Sequence, residues 1–167
     1  AFVNVIDTPI AVRSSSLLED AHYQPFAGVY STYMVPNNKD DVKSTLMKLG
    51  EAIKAVFTAV EGGINFIDVS PYYGHLKAET VLGKALKDIP RDKFIISTKV
   101  GRYGKDGVNT WDYSAKRATE SVYESMERLN VDHIDLINVH DVEFTDLKKV
   151  AEETLPALVE LREKGVV

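Results

Sequence analysis

The sequence predicts an α/β fold in which β/α units repeat along the chain and lay their strands parallel. Three observations carry that expectation. Val42, Leu46, Leu49, Ile53, Phe57 and Val60 recur at steps of three or four, which marks one face of a long amphipathic helix. Three short apolar runs rich in β-branched residues begin at Ile64, Phe94 and His133, alternating with helical patterns. Their starts lie 30 and 39 residues apart, enough for a helical crossover between parallel strands.

Taken in order, the elements have separate causes. Pro9, Pro25 and Pro36 interrupt the apolar stretches of the first part, and Ser14, Ser15 and Ser16 form a loop-like cluster. Residues 1–35 therefore read as an irregular segment, with Phe26–Tyr30 as a candidate first strand. Residues 36–167 read as successive β/α units. Gly62 and Gly63 close the first helix by accepting a left-handed backbone. Ile64–Asp68 (INFID) has the size of a buried strand, and Val81, Leu82, Ala85 and Leu86 mark a short helix ending before Pro90. Phe94–Lys99 (FIISTK) is the next strand. Ser114 caps a helix carrying Ala118, Val122, Met126 and Leu129 on one side. His133–His140 (HIDLINVH) is the third strand, followed by a helix over Leu147–Lys164 that Gly165 stops. The closing EKGVV reads as a helix stop and the opening of another strand, so the pattern predicts a chain truncated before its next unit.

Composition excludes several functions. Hydrophobic residues make up 44% and charged residues 27% of the 167, which excludes disorder as the main state. A net charge of −5 builds no positive field for a phosphate backbone, so no nucleic-acid partner is expected. The absence of cysteine excludes disulfides, a thiol nucleophile and thiolate metal sites. No apolar run approaches the roughly 20 residues that span a bilayer, and no basic leader precedes an apolar core. The expectation is a cytoplasmic protein with no membrane partner. The chain opens on Ala rather than Met, which reads as processing or as a piece of something longer.

Ligands of parallel β/α folds meet the carboxyl ends of the strands. There the sequence places Asp68, Lys99 and His140, with Tyr73 five residues beyond Asp68 in a loop (VSPYYG) that Pro71 and Gly74 restrict. Singly, such residues are more often caps or surface groups. Together they form a complementary set for proton transfer to a carbonyl or alcohol oxygen. A phenol titrating at about 10 is a poor base near neutrality, but an ammonium within a few ångströms favours the phenolate. The carboxylate anchors the ammonium, and the imidazole hydrogen-bonds the substrate oxygen. No nucleophile with its own base is present, so acyl transfer is not indicated. VGRYGKDG is too short for a phosphate loop and carries Asp106 where Ser or Thr belongs. The histidines at 22, 75, 133 and 140 lack metal-ligand spacing, so no metal is expected, and His75 reads as loop surface.

The segment GGINFIDVSPYYGHLKAETVLGKAL, the strand endings STK and VHD, and the order Asp68, Tyr73, Lys99, His140 resemble the aldo-keto reductases. Family tyrosines directly precede glycine, which selects Tyr73 over Tyr72. DVSPYYG, TKVGRYG, DYSAKR, SMERLNVDHIDLINVHDVEF and LREKGVV resemble the branch of L-galactose and D-arabinose 1-dehydrogenases. The resemblance covers about residues 60–167. It implies the N-terminal half, about four units, of a (β/α)8 TIM barrel, truncated before strand 5. It implies hydride transfer from C1 of an aldose to NAD, giving the lactone, with NADP left open. It makes Asp68, Tyr73, Lys99 and His140 the catalytic set. The implied cofactor contacts are Asp68 and Gly28, the latter in QPFAGVYS, with the remainder on strands 5–8. Tyr103 and Trp111, in the loop Gly101–Trp111 after strand 3, are candidates to stack on the sugar.

The resemblance leaves two alternatives: a redox-sensing or regulatory barrel subunit like the β-subunits of potassium channels, or an NADPH-dependent carbonyl reductase. A half-barrel would also leave sheet edges and its inner face uncovered. The isolated chain is therefore expected to be inactive and to self-associate unless a missing half completes it.

Overall fold

The computed structural model describes residues 10–13, 32–35, 42–63, 65–105 and 108–167. The chain divides into two units, Ala1–Val56 and Phe57–Val167. In the first, β1 (Ile10–Arg13) pairs antiparallel with β2 (Thr32–Val35), Ile10 opposite Val35. The segment read as irregular thus contains a two-stranded sheet, built from the short runs IAVR and TYMV that the prolines and serines bound. The candidate strand Phe26–Tyr30 and Gly28 lie outside the described residues.

Helix α1 (Val42–Glu61) ends as the sequence predicts. The Gly62 and Gly63 amides donate back to Thr58 and Val60, and Gly63 takes a φ of 92° that a side chain would resist. A three-stranded parallel sheet follows in the order β3 (Phe66–Asp68), β4 (Ile95–Val100), β7 (Leu136–Val139). Each strand is shorter than its apolar run or shifted by a residue, because pairing with the neighbour sets the ends. Between them lie α2 (Lys77–Leu86) and α3 (Ala115–Leu129). Helix α2 begins four residues before the apolar pattern does.

Register decides which side chains meet. Asp68 pairs with Ser97 and Lys99 with Asn138. With the two-residue period of a strand, Phe66, Asp68, Ile95, Ser97, Lys99, Leu136 and Asn138 share one face. The opposite face is core: Ile96, Thr98 and Val100 are fully buried, beside Val122 and Leu129 of α3. Ser114 caps α3 by accepting from the Arg117 amide, and Asn130 ends it in the left-handed region.

Glu79 of α2, completely buried, accepts from the Thr98 hydroxyl at 2.6 Å and from Arg128 Nε at 2.7 Å. That one carboxylate ties α2, β4 and α3 together. The expected last helix consists of α4 (Leu147–Lys149), a π-turn over Val150–Thr154, and α5 (Leu155–Glu163). In the π-turn the buried Thr154 hydroxyl donates to the Tyr113 carbonyl. No described helix is long and apolar enough to cross a membrane.

The segment expected to be a loop, Gly101–Trp111, is instead a hairpin of β5 (Arg102–Lys105) and β6 (Val108–Trp111). It follows β4 directly, so the residues after Lys99 rise from the carboxyl end of the parallel sheet.

Candidate active site

The face carrying Asp68 and Lys99 is the open one, and polar side chains gather at its carboxyl end. Lys99 Nζ donates to Asp68 Oδ2 at 2.5 Å and to the Val69 carbonyl at 3.0 Å. The other Asp68 oxygen accepts from the Ser97 hydroxyl at 2.7 Å, and Asn138 Nδ2 donates to that hydroxyl at 3.2 Å. Asp68 is thereby fixed from the strand beside it. Ser97 and Asn138 escaped the sequence reading, although the two-residue period places them on the same face as Asp68 and Lys99.

Tyr73 reaches this cluster through its loop. Ser70 Oγ accepts from the Tyr72 amide at 3.1 Å, and the Tyr73 amide donates to the Ser70 carbonyl at 3.1 Å. Gly74, His75 and Leu76 then follow with φ of 60°, 50° and 72°. A left-handed backbone costs about 1–2 kcal/mol at a residue with a side chain. Here the Leu76 amide, bonded to the Pro71 carbonyl at 2.8 Å, holds the turn closed. The result sets the Tyr73 ring, 40% exposed, with its centre 5.1 Å from Lys99 Nζ.

His140, just past β7, completes the group. Its ring stands edge-on to Tyr73 at 5.9 Å between centres and to Tyr72 at 6.2 Å. Nδ1 lies 3.4 Å from Ser70 Oγ, and Nε2 lies 3.5 Å from Asp141 Oδ1. Burial pushes the imidazole below the ordinary histidine value of 6.5. Asp141 opposes that shift, Lys99 and Arg102 add to it, and Asp68 opposes it. The described geometry therefore brings Asp68, Tyr73, Lys99 and His140 into one cluster.

The two candidate sugar-stacking residues part company. Tyr103 is only 6% exposed: its hydroxyl accepts from the Gly101 amide at 3.0 Å, and Arg117 of α3 covers its ring. Alternation along β5 sends Tyr103 toward α3 and its neighbour Arg102 toward the cluster, so Tyr103 is a core residue and not a stacking surface. Trp111 remains exposed and packs against Phe144 with ring centres 5.1 Å apart. His75, expected at the loop surface, is half-buried, and its Nδ1 has no hydrogen-bond partner. A Cβ built on Gly104 of the hairpin would lie 1.9 Å from that nitrogen, so the hairpin backbone rests on the Tyr73 loop.

Arg102 and Asp141 also escaped the sequence reading, which weighed Tyr72 only as the competitor of Tyr73. The Arg102 guanidinium bonds Asp141 Oδ2 through Nη1 and the Tyr72 hydroxyl through Nη2 at 2.8 Å. Among the described residues no group of three His, Asp or Glu side chains is arranged to hold a metal ion.

Comparison with known proteins adds an independent line. The sequence profile described as the Aldo/keto reductase family matches residues 38–167. An L-galactose dehydrogenase of Arabidopsis thaliana is 45% identical over 117 residues, covering 69% of this chain and 35% of that protein. A D-arabinose 1-dehydrogenase of Saccharomyces cerevisiae is 42% identical over 123 residues, 71% of this chain and 34% of that protein. Among solved structures, an aldo-keto reductase from Bacillus halodurans in its holo form superposes with a TM-score of 0.64 at 33% identity. It covers 71% of this chain and 39% of that one. The chain thus spans about a third of the length of these curated relatives.

Proposed function

The chain belongs to the aldo/keto reductase family, with the fold of part of its (β/α)8 barrel, and from that premise we propose that the complete protein oxidises an aldose at C1 to the lactone with NAD+. The observation that carries the reading is the Lys99 ammonium, 2.5 Å from Asp68 and 5.1 Å from the centre of the Tyr73 ring, with His140 edge-on to the same ring. The sugar-dehydrogenase relatives support the choice of substrate.

A nicotinamide dinucleotide, when bound, supplies the hydride acceptor. The described residues fit one end of it. Asp68 has both oxygens engaged by the sheet yet keeps a side chain 37% exposed. Its remaining lone pairs would accept a ribose hydroxyl. The described residues contribute the acid–base end of the site.

Proton transfer is the work of the chain's own residues. Tyr73, as phenolate, takes the proton of the C1 hydroxyl while the C1 hydride departs with its electron pair, leaving C1 doubly bonded to oxygen. The Lys99 ammonium, 5.1 Å from the centre of the Tyr73 ring, is the positive charge beside that phenol. Asp68 and the Val69 carbonyl hold Lys99 in place. His140, kept neutral by burial, donates a hydrogen bond to the sugar oxygen.

The test is aldose oxidation by the complete protein and its Tyr73→Phe variant. A panel including L-galactose and D-arabinose is run with NAD+ and with NADP+. Turnover of an aldose that falls at least about 100-fold in Tyr73→Phe is expected. Dinucleotide binding with no turnover of any aldose or carbonyl would turn the reading toward a sensor subunit. A fully active Tyr73→Phe would remove Tyr73 from its role.

A further inference from the structure

Arg102 stands where three segments of the site meet. Its Nη1 bonds Asp141, its Nη2 bonds the Tyr72 hydroxyl, and its guanidinium carbon lies 3.8 Å from the centre of the Tyr72 ring. Trp111 and Phe144 face the same guanidinium at 5.7 and 5.9 Å. The fork therefore joins the hairpin, the Tyr73 loop and the turn after β7. Both members of the Arg102–Asp141 pair are about one-fifth exposed, so solvent screens it only in part.

Asp141 is the connecting group. Its backbone is left-handed, with φ 51° and ψ 53°, and the Tyr113 hydroxyl lies 2.8 and 2.6 Å from the His140 and Asp141 carbonyl oxygens. This arrangement turns Oδ2 toward Arg102 and leaves Oδ1 3.5 Å from His140 Nε2. A neutral imidazole carries one N–H. With that proton on Nε2, Nδ1 is free to accept from the Ser70 hydroxyl.

We propose that Arg102 is a positioning residue for His140: by holding and neutralising Asp141 it keeps the imidazole uncharged, with its Nε2 proton directed into the site. The proposal rests on the reading of His140 as the residue that orients the substrate oxygen. Without Arg102 the Asp141 carboxylate would stand uncompensated beside Nε2 and would favour the imidazolium, which has no lone pair left to accept from Ser70. The other groups facing the ring are Lys99 from β4, Asp68 from β3, and Tyr72 and Tyr73 from the loop between β3 and α2. None of these lies in the turn that Arg102 grips.

The experiment is the pH titration of His140 by NMR, with the histidine rings labelled, in the complete protein and in Arg102→Gln, Asp141→Asn, the double variant and Arg102→Lys. Arg102→Gln is expected to raise the midpoint by about half to one pH unit, and Asp141→Asn to lower it by a similar amount. The double variant should titrate close to Asp141→Asn, because without the carboxylate Arg102 has no charge beside the ring left to neutralise. Arg102→Lys keeps the charge without the fork and should shift the midpoint upward by less than Arg102→Gln. If Arg102→Gln does not fold, Asp141→Asn and Arg102→Lys decide the matter alone.

A residue that merely braces the hairpin would leave the midpoint where it is, and that result overturns the proposal. So does an upward shift in Arg102→Gln that persists undiminished beside Asp141→Asn. Because the titration needs no turnover, it separates the two readings. Coupled shifts in a protein that oxidises no aldose would refute the proposed function and leave the coupling standing. Turnover without the shifts would do the reverse.

Discussion

Lys99 and Asp68, on adjacent parallel strands, meet at 2.5 Å on the open face of the sheet, and the same ammonium donates to the Val69 carbonyl at 3.0 Å. Asp68 is thus one of two acceptors that aim Lys99, whereas Lys99 is the one described ammonium over the Tyr73 ring. The two residues should differ in kinetic weight. In the complete protein, Lys99→Met should lower kcat by about 100- to 10,000-fold, the range of a lost acid–base partner. Asp68→Asn should lose less, because Val69 still holds the amine. Steady-state kinetics check the order, and an Asp68→Asn loss exceeding that of Lys99→Met would reverse the assignment.

Stability should respond to the burial of His140. Its folded-state value is lowered below 6.5, so between that lowered value and 6.5 the unfolded chain binds the extra proton. The penalty is absent above 6.5, grows as pH falls through that window and is complete below the folded value. Urea unfolding at pH 7.5 and pH 5 should therefore show an acid-side loss that His140→Asn reduces. An unchanged pH dependence in the variant would contradict the sign.

The Glu79–Arg128 pair should be asymmetric to mutation. Arg128→Met leaves a fully buried carboxylate with only the Thr98 hydroxyl, and removing one partner of such a pair costs about 3–5 kcal/mol. Glu79→Gln with Arg128→Met removes the stranded charge and should recover part of that loss. Chemical denaturation of the two variants measures the difference. A double variant less stable than Arg128→Met alone would show that charge is not the issue.

Gly83 sets two effects against each other. Alanine is the better helix former in the interior of α2 by about 1 kcal/mol. A Cβ there would lie 2.2 Å from the Arg128 carbonyl oxygen and 2.7 Å from the Leu129 carbonyl carbon, both backbone atoms of α3 that cannot step aside. Such overpacking costs about 1–3 kcal/mol or more. Gly83→Ala should destabilise on balance, and thermal melting showing a gain would mean that α2 and α3 separate more easily than their contact suggests.

The open face also carries Phe66, Ile95 and Leu136, each about two-fifths exposed at the amino end of its strand. Among the described residues β3 and β7 are edge strands. The isolated 167-residue chain should therefore self-associate, and Leu136→Lys should weaken that association. Sedimentation velocity is the measurement, with a compact monomer at high concentration as the contrary result.

The parallel β/α order was legible because its causes are local. Helical period marked α1 and α3, glycines marked helix ends, and a polar residue closing each apolar run marked Asp68, Lys99 and His140. The hairpin after β4 was legible too, had Asp106–Gly107 between two short runs been weighed as a hairpin signal. In the first 35 residues the apolar runs are too short and too broken by proline for periodicity to separate strand from loop.

By itself, then, the sequence determined which polar residues stand at or beside the carboxyl ends of the strands. Tertiary structure decided their company. Ser97 and Asn138 join Asp68 only through strand register, and Arg102 meets Asp141 and Tyr72 across gaps of 39 and 30 residues. Of two neighbours on one strand, Tyr103 enters the core and Arg102 the site. The physical reason is that periodicity reports only how neighbours along the chain alternate. Which side of a strand finds cover, and which charge finds a partner, depends on elements that reach it from elsewhere in the chain.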